Sequence, residues 1–522
     1  MQGRLAWAVV VAVFAAALLW GAGSVPLLDP DEARFARTSL EMLRTADPVV
    51  PTFEGQPRLT KPPLLHWTQA ALFRVLGPEE LAARLPSIVS TLGLLFMTVW
   101  ILRRRFGDEG AAWAAAAFAA FPLVVALGKI GTIDALLSLH VGAVLALELA
   151  GTREHRSAVP AAVGAVLGLA FLAKGPVGVV VPLLVMRGGR TAVGGEVVPP
   201  VRAWLLGAAA WCAVVLPWGL AFVRRVGIAD TAGLIRREAL ERYFSDDTLH
   251  GKPFWFYLAV GAVGLFPWGA TLVLGVVRAL RKRRDPAART AAYAAAGLVV
   301  CLAFFSIGRG KLPSYVLPLA PLAAIVIAWE IGQETAAARG RRAGPLLAAA
   351  SLAIGAAALA GAALTGVRPE FRAAIATGSA ILGAGALAAI AGLARGRPRE
   401  VHAAVAAAGL AFATVCSAIA LPVLGRERSA AGLVRDVPAL SSGRPVVTFE
   451  KHLPTLTFYL DRVLEWRGVA EVAERVARPD HLLLVVDQED LPLLPPETRG
   501  MIEEVGHSGR YRVFAPKERE GR

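Results

Sequence analysis

Apolar runs long enough to cross a bilayer recur along most of this 522-residue chain, separated by short polar segments. A membrane helix needs roughly 20 apolar residues, within a range of about 17–25. That length predicts about thirteen transmembrane helices, near 5–22, 84–102, 110–127, 132–151, 157–173, 175–187, 201–222, 254–279, 289–306, 313–332, 344–366, 371–394 and 402–422. The fifth and sixth are short and meet at Lys174-Gly175-Pro176, which fits either a hairpin or one broken re-entrant element. The first run also fits a cleaved signal peptide, with small residues at Gly21-Ala22-Gly23-Ser24, but the charged loop behind it leads straight into further spans and favours a retained helix. The Ala-rich stretch 346–416 predicts closely packed helices.

From about 423 the pattern becomes that of an ordinary soluble domain. Strand-like runs at 445–449, 456–460, 481–486 and 511–514, with a helical run near 467–477, predict a small α/β domain. The expected division is therefore a mainly α, polytopic membrane domain over 1–422, carrying outer loops 23–83 and 223–253, and a soluble outer domain over 423–522.

Composition removes the main alternatives. Hydrophobic residues make up 56% and charged residues 18%, against roughly 45–50% and about 25% in a soluble domain. The absence of a Gly-X-Y period, the three cysteines and the abundant Leu, Val, Ile and Phe exclude collagen-like, disulfide-scaffold and disordered classes. Cys212, Cys301 and Cys416 all lie inside apolar runs, as small hydrophobes do. The net charge of +15 invites a nucleic-acid reading, yet the basic residues sit in clusters between apolar runs: Arg103-Arg104-Arg105, Arg281-Lys282-Arg283-Arg284, Arg339 with Arg341-Arg342, and Arg395 with Arg397 and Arg399. That is the positive-inside pattern of a protein among membrane lipids, with no nucleic-acid partner. With a cytoplasmic N-terminus and thirteen spans every cluster falls on one side, and the two loops, the turn at 307–312 and the C-terminal domain face outward, into the periplasm or extracellular space.

Ionisable residues are nearly absent from mid-span. Lys129 and Asp134 stand at the outer start of the fourth span, Lys174 at the hairpin tip, and Glu148 and Glu330 near cytoplasmic ends. A pump or ion-coupled transporter places such groups near the midplane, whereas a rim of them favours chemistry on a membrane-anchored substrate. In Asp29-Pro30-Asp31-Glu32, three carboxylates in four residues can supply a general base or orient a sugar hydroxyl. The same residues also fit a helix start, with Asp29 as cap and Asp31 and Glu32 in the first turn. Lys61, before Pro62-Pro63, is held in extended backbone and fits a phosphate ligand or an interfacial lysine. In the second loop Glu238 and Arg242 become neighbours if the segment is helical. The turn Gly308-Arg309-Gly310-Lys311 spaces two cations with glycines, so that backbone N–H groups and basic side chains can approach one anion. It lacks the Walker context, and nucleotide hydrolysis is not implied.

At Asp31-Glu32-Ala33-Arg34-Phe35-Ala36, Lys61-Pro62-Pro63, Ile133-Asp134, Leu172-Ala173-Lys174-Gly175-Pro176 and Ser306 to Pro318, the chain resembles the GT-C glycosyltransferases that use polyprenyl-phosphate sugars, notably the lipid A aminoarabinose transferase and protein O-mannosyltransferase group. The pieces occur in family order over nearly the whole chain. The resemblance implies a GT-C fold and an inverting transfer, in which an acceptor attacks the anomeric carbon and a polyprenyl phosphate leaves. Carried over by position, Asp31 becomes the base or acceptor-orienting acid, with Glu32 beside it and Asp134 supporting the same chemistry. Lys61, Arg242, Lys311, Tyr315 and Arg309 become ligands of the leaving phosphate, and Lys174 adds to that field or caps the hairpin. The implied partners are a polyprenyl-phosphate sugar donor and an envelope glycolipid, glycan or protein acceptor, at the inner or plasma membrane. No cofactor or metal is expected. Many relatives carry an acid just before the Lys-Pro lysine, and Thr60 stands there in this chain. A lipid-linked carbohydrate flippase, which has no need of Asp31, and a glycan-binding scaffold are the rival readings.

Overall fold

The apolar runs fold as helices, which satisfy every backbone amide without help from water. The computed structural model describes residues 2–150, 158–194, 201–236, 252–308, 310–336, 343–365, 368–478 and 481–517. The chain divides into two compact units: Met1–Trp20, Thr60–Leu65 and Arg84–Ala420 form a helical unit, and Gly21–Leu59, His66–Ala83 and Leu421–Arg522 form a second. The expected division had placed loop 23–83 with the helices. In the structure most of it shares a unit with the C-terminal segment.

In the helical unit each expected span carries a helix, but the count of thirteen does not emerge. Among the described residues seven helices are long and apolar enough to cross a membrane, or up to nine if each of two bent pairs is one span. The pairs are Pro122–Gly128 with Ile133–Leu149, bent by 117°, and Phe256–Gly264 with Gly269–Arg281, bent by 113°. Gly3–Leu19 and Val159–Lys174 are shorter apolar helices. Helix Glu80–Ala119 covers the expected second span and most of the third, broken at Gly107, where φ is 70° and ψ is −170°. The count differs because the first, fifth and sixth expected spans are carried by shorter helices, and the second and most of the third fall on one helix. Small residues bring helices together: a Cβ added at Gly164 would lie 2.0 Å from the Gly207 carbonyl oxygen, so Val159–Lys174 and Val201–Val226 pack backbone against backbone.

Charge separates the two ends of this unit. At one end Arg4 and Arg103 pair with Asp108, Arg190 with Glu148 at 2.6 Å, Arg399 with Glu109 at 3.0 Å, and Arg278 with the buried Glu330. Glu334, also buried, meets His402 Nε2 at 2.8 Å. At the other end Lys129 donates to the Trp20 carbonyl at 3.1 Å, and Asp134, Lys174 and Tyr315 gather. Helix Ile133–Ala150 runs from Asp134 near one end to Glu148 near the other.

The second unit holds a five-stranded sheet of order β4-β3-β5-β7-β6, made of β3 (Val446–Phe449), β4 (Glu465–Arg467), β5 (Leu483–Asp487), β6 (Ile502–Ser508) and β7 (Tyr511–Pro516). Strands β3, β4 and β5 run parallel, and β7 pairs antiparallel with β5 and β6. Its inner strands alternate between two cores, as a period of two requires: Val446, Leu483, Val485 and Val513 face one with Leu433 and Leu456, while Val447, Leu484 and Val486 face the other with Val472 and Val476. The run 456–460, expected as a strand, is instead part of helix Pro454–Leu460. Pro454 suits a first helical turn, and the carboxylate of Asp29 accepts the amide of Thr455, an N-terminal anchor supplied from 426 residues away.

From the first loop this unit takes helix Asp31–Thr45, the hairpin of β1 (Thr52–Phe53) and β2 (Gln56–Pro57), and most of helix Leu64–Leu76. Leu27, Ala33, Ala36, Leu40 and Phe73 share a core with Phe458 from the C-terminal segment, the rings of Phe73 and Phe458 lying 6.2 Å apart. Arg37 pairs with Glu41 and Asp461, both at 2.9 Å.

Candidate functional site

The residues nominated from the sequence fall into two groups, one in each unit. In the helical unit three turns supply the first group. Helix Val159–Lys174 ends at Gly175, whose φ of 64° and ψ of −145° suit glycine alone, and Pro176 opens the next helix. This reversal sets Lys174 so that its ammonium pairs with Asp134 and lies 4.2 Å from the centre of the Tyr315 ring. The backbone at Gly175 also comes close to Pro62, next to Lys61. Pro313–Leu319 forms a 3-10 turn that presents Tyr315, packed 5.9 Å from the Phe305 ring. Lys311, just before it, is 3% exposed, and its Nζ donates to the Lys252 carbonyl at 3.0 Å. Tyr257, which the sequence did not single out, is buried beside this group and donates its hydroxyl to the Leu312 carbonyl at 3.2 Å. Arg242 and Arg309 lie outside the described residues.

Asp134, Lys174, Tyr315 and Lys311 thus come to one end of the helical unit, opposite the arginine-rich end. The Asp134–Lys174 pair is nearly sealed from solvent, with both side chains 10% exposed. Such a pair holds a cation in fixed register where a mobile lysine would wander.

In the second unit Asp31 opens helix Asp31–Thr45. Its carboxylate is more than half exposed and meets Arg34 at 3.3 Å. Glu32 is buried and turns back to accept the Leu28 amide at 2.9 Å, which makes it a clasp for the helix start. Asp29 is a hook between distant segments: Thr455 donates to it through both its amide, at 2.8 Å, and its hydroxyl, while the Asp29 amide donates to the Arg428 carbonyl. His66 is buried, hydrogen-bonds Ser39 Oγ through Nδ1 at 2.9 Å, and is held neutral, its pKa pushed down to about 3 by burial and by the Arg58 charge. Among the described residues no group of three or more His, Cys, Asp and Glu is arranged to hold a metal ion.

Burial raises the Asp29 carboxyl to about 7, against the lowering effect of its Thr455 bonds. A folded-state pKa above the usual carboxylate value of about 3.9 favours the folded unit in acid, and that advantage fades as pH rises toward 7. The full-length protein should therefore show a higher apparent melting midpoint at pH 5 than at pH 7.5, and Asp29→Asn should narrow the gap. An equal gap in the variant would mean that other groups carry the dependence.

The fold is shared over 98% of both chains, at a TM-score of 0.79 and 22% identity, with the crystal structure of ArnT from Cupriavidus metallidurans bound to undecaprenyl phosphate. It is shared more distantly with the oligosaccharyltransferase of Archaeoglobus fulgidus, at a TM-score of 0.50 and 12% identity over 99% of this chain and 75% of that one. Residues 60–220 match the family of dolichyl-phosphate-mannose-protein mannosyltransferases. More particularly, the chain is similar to the undecaprenyl phosphate-alpha-4-amino-4-deoxy-L-arabinose arabinosyl transferase of Pseudomonas paraeruginosa, 31% identical over 345 residues. The alignment covers 62% of this chain and 60% of that relative's length. A second such transferase, from Sodalis glossinidius, is 29% identical over 319 residues, 58% of this chain and 55% of the relative.

Proposed function

We propose that this protein is an integral-membrane glycosyltransferase that moves a sugar from a polyprenyl-phosphate donor to an envelope acceptor, a glycolipid of the lipid A kind, a polysaccharide or a protein, at the outer face of the cell membrane. The observation that carries the reading is the gathering of Lys174, Asp134, Tyr315 and the buried Lys311 at the end of the helical unit opposite its arginine clusters. The similarity to transferases of undecaprenyl-phosphate-linked aminoarabinose supports it. By the positive-inside rule the arginine-rich end lies in the cytoplasm with the N-terminus, and residues after about 423 lie outside.

In this reaction the acceptor hydroxyl attacks the anomeric carbon, the bond from that carbon to the phosphate oxygen breaks, and the proton passes to Asp31. Lys61, Arg242, Arg309, Lys311 and Tyr315 stabilise the phosphate as its charge grows, with Lys174 adding to the field. A departing monophosphate needs less neutralisation than a nucleoside diphosphate, so cations on the chain can serve without a divalent ion.

The test is transfer by purified protein in lipid nanodiscs, from a labelled undecaprenyl-phosphate pentose or hexose into an envelope extract, with the product read by mass spectrometry. A glycosylated acceptor and released undecaprenyl phosphate are expected, with activity kept in EDTA. Movement of intact donor across the bilayer without cleavage would establish a flippase instead. Loss of activity on chelation, with recovery on one cation, would make Asp31 and its neighbours metal ligands.

A further inference from the structure

The second unit carries a cluster on the same element group as Asp31 that none of the roles above uses. The β1–β2 hairpin turns through Glu54 and Gly55, with φ of 54° and 74°. Left-handed backbone at a residue with a side chain costs on the order of 1–3 kcal/mol and persists only where the surroundings enforce it. Here Glu41, buried and paired with Arg37, accepts the Glu54 amide at 2.9 Å, the Gly55 amide at 3.2 Å and the Thr52 hydroxyl at 2.8 Å. The hairpin tip is thus clamped, and the Glu54 carboxylate is presented in a fixed place. Burial and the Glu41 charge push its pKa up to about 7, so near neutrality it can both donate and accept a hydrogen bond.

Opposite Glu54 stands His452, whose Nδ1 is 3.5 Å from Glu54 Oε2. Its loop is fixed from both sides: Glu450 accepts the Val469 amide at 2.7 Å, and Lys451 is held by Asp487 at 3.0 Å and Asp490 at 2.9 Å. The imidazole stacks on Trp466 of β4, with ring centres 5.3 Å apart and planes 12° from parallel. Trp466 is 39% exposed, and the His452 side chain 49%. The imidazole covers part of one indole face, and the indole surface left open on this edge strand lies beside it and the partly buried Glu54 carboxyl group, an apolar plate next to two hydrogen-bonding groups. A pyranose ring has the complementary form, C–H groups on its face and hydroxyls around its rim. The cluster also continues toward the candidate base, because the charge of Arg34 acts on both Glu54 and His452, and Arg34 pairs with Asp31.

We propose that Trp466, His452 and Glu54 form a carbohydrate subsite that holds a pyranose ring of the acceptor, with the ring against Trp466 and hydroxyls on Glu54 and His452. As an acceptor site the proposal rests on the transferase reading; as a sugar site it stands by itself.

The test uses full-length protein in lipid nanodiscs with chitobiose as probe, read by saturation-transfer NMR, and undecaprenyl phosphate binding measured on the same samples. Saturation should reach the pyranose ring protons in wild type, fall at least fivefold in Trp466→Ala and in Glu54→Gln, and return to at least half in Trp466→Phe, with undecaprenyl phosphate affinity unchanged throughout. In the transfer assay Trp466→Ala should raise the acceptor KM about tenfold and leave kcat within twofold. No saturation in wild type, or equal saturation in Trp466→Ala, overturns the subsite. If saturation tracks Trp466 but undecaprenyl phosphate does not bind wild type, the sugar site stands and the transferase reading falls. A fall in kcat with KM unchanged would make Trp466 a structural residue and overturn its acceptor role.

Discussion

Asp31→Asn should lower the turnover of sugar transfer by about 10²–10⁴-fold, the range over which a positioned general base contributes, while undecaprenyl phosphate still binds. The substitution keeps the size of the side chain and removes its charge. The fold has little stake in that charge, because the pair with Arg34 is largely solvent-exposed and such pairs contribute little to stability. Loss of turnover in a correctly inserted, normally melting variant therefore reports chemistry. Near-normal turnover would return Asp31 to a first-turn acid that merely favours the helix start.

The next largest effect is expected on donor binding. Lys61→Met and Lys311→Met each keep most of the apolar stem and lose the cation, and each should weaken undecaprenyl phosphate binding about 10–100-fold, the equivalent of one charged hydrogen bond of about 1.5–3 kcal/mol. Lys311 is buried and anchored on the Lys252 carbonyl, so its loss should act on affinity even at saturating salt, where surface charges are screened. Titration of nanodisc-held protein with labelled undecaprenyl phosphate measures both. A change confined to acceptor affinity would reverse the assignment of donor and acceptor sides, and no change in either variant would remove these lysines from phosphate recognition.

What the sequence revealed of this molecule follows the range of the interactions involved. Apolar length located the helices because each satisfies its own hydrogen bonds, and the β3, β5 and β7 segments were visible because a buried strand is written locally as an apolar run. Strands β4 and β6 escaped notice for the opposite reason: Glu465-Trp466-Arg467 is three residues long, and Ile502 to Ser508 is a mostly polar, bulged edge. Helix Pro454–Leu460 was misread because its anchor, Asp29, is 426 positions away. Within the candidate site, Asp134, Lys174 and Tyr315 were each named from separate motifs, and only the fold brings them together. Glu41 and Glu54 were invisible, since their significance lies in a hairpin turn and a C-terminal loop that no spacing rule connects.

The shared core of Leu27, Phe73 and Phe458 has a consequence for the order of synthesis. The first loop leaves the ribosome early, but the segment that completes its core begins at Leu421, after all of Arg84–Ala420 has been made. At about 5–20 residues per second that interval lasts on the order of 20–70 s. Throughout it the loop must stay unpaired without aggregating, a task suited to its charged helix and short hairpin. A nascent chain stopped near Leu421 would thus carry nearly all of the helical unit and still lack the partner of the first loop's core, so a frameshift close to that point would disable residues encoded several hundred positions earlier.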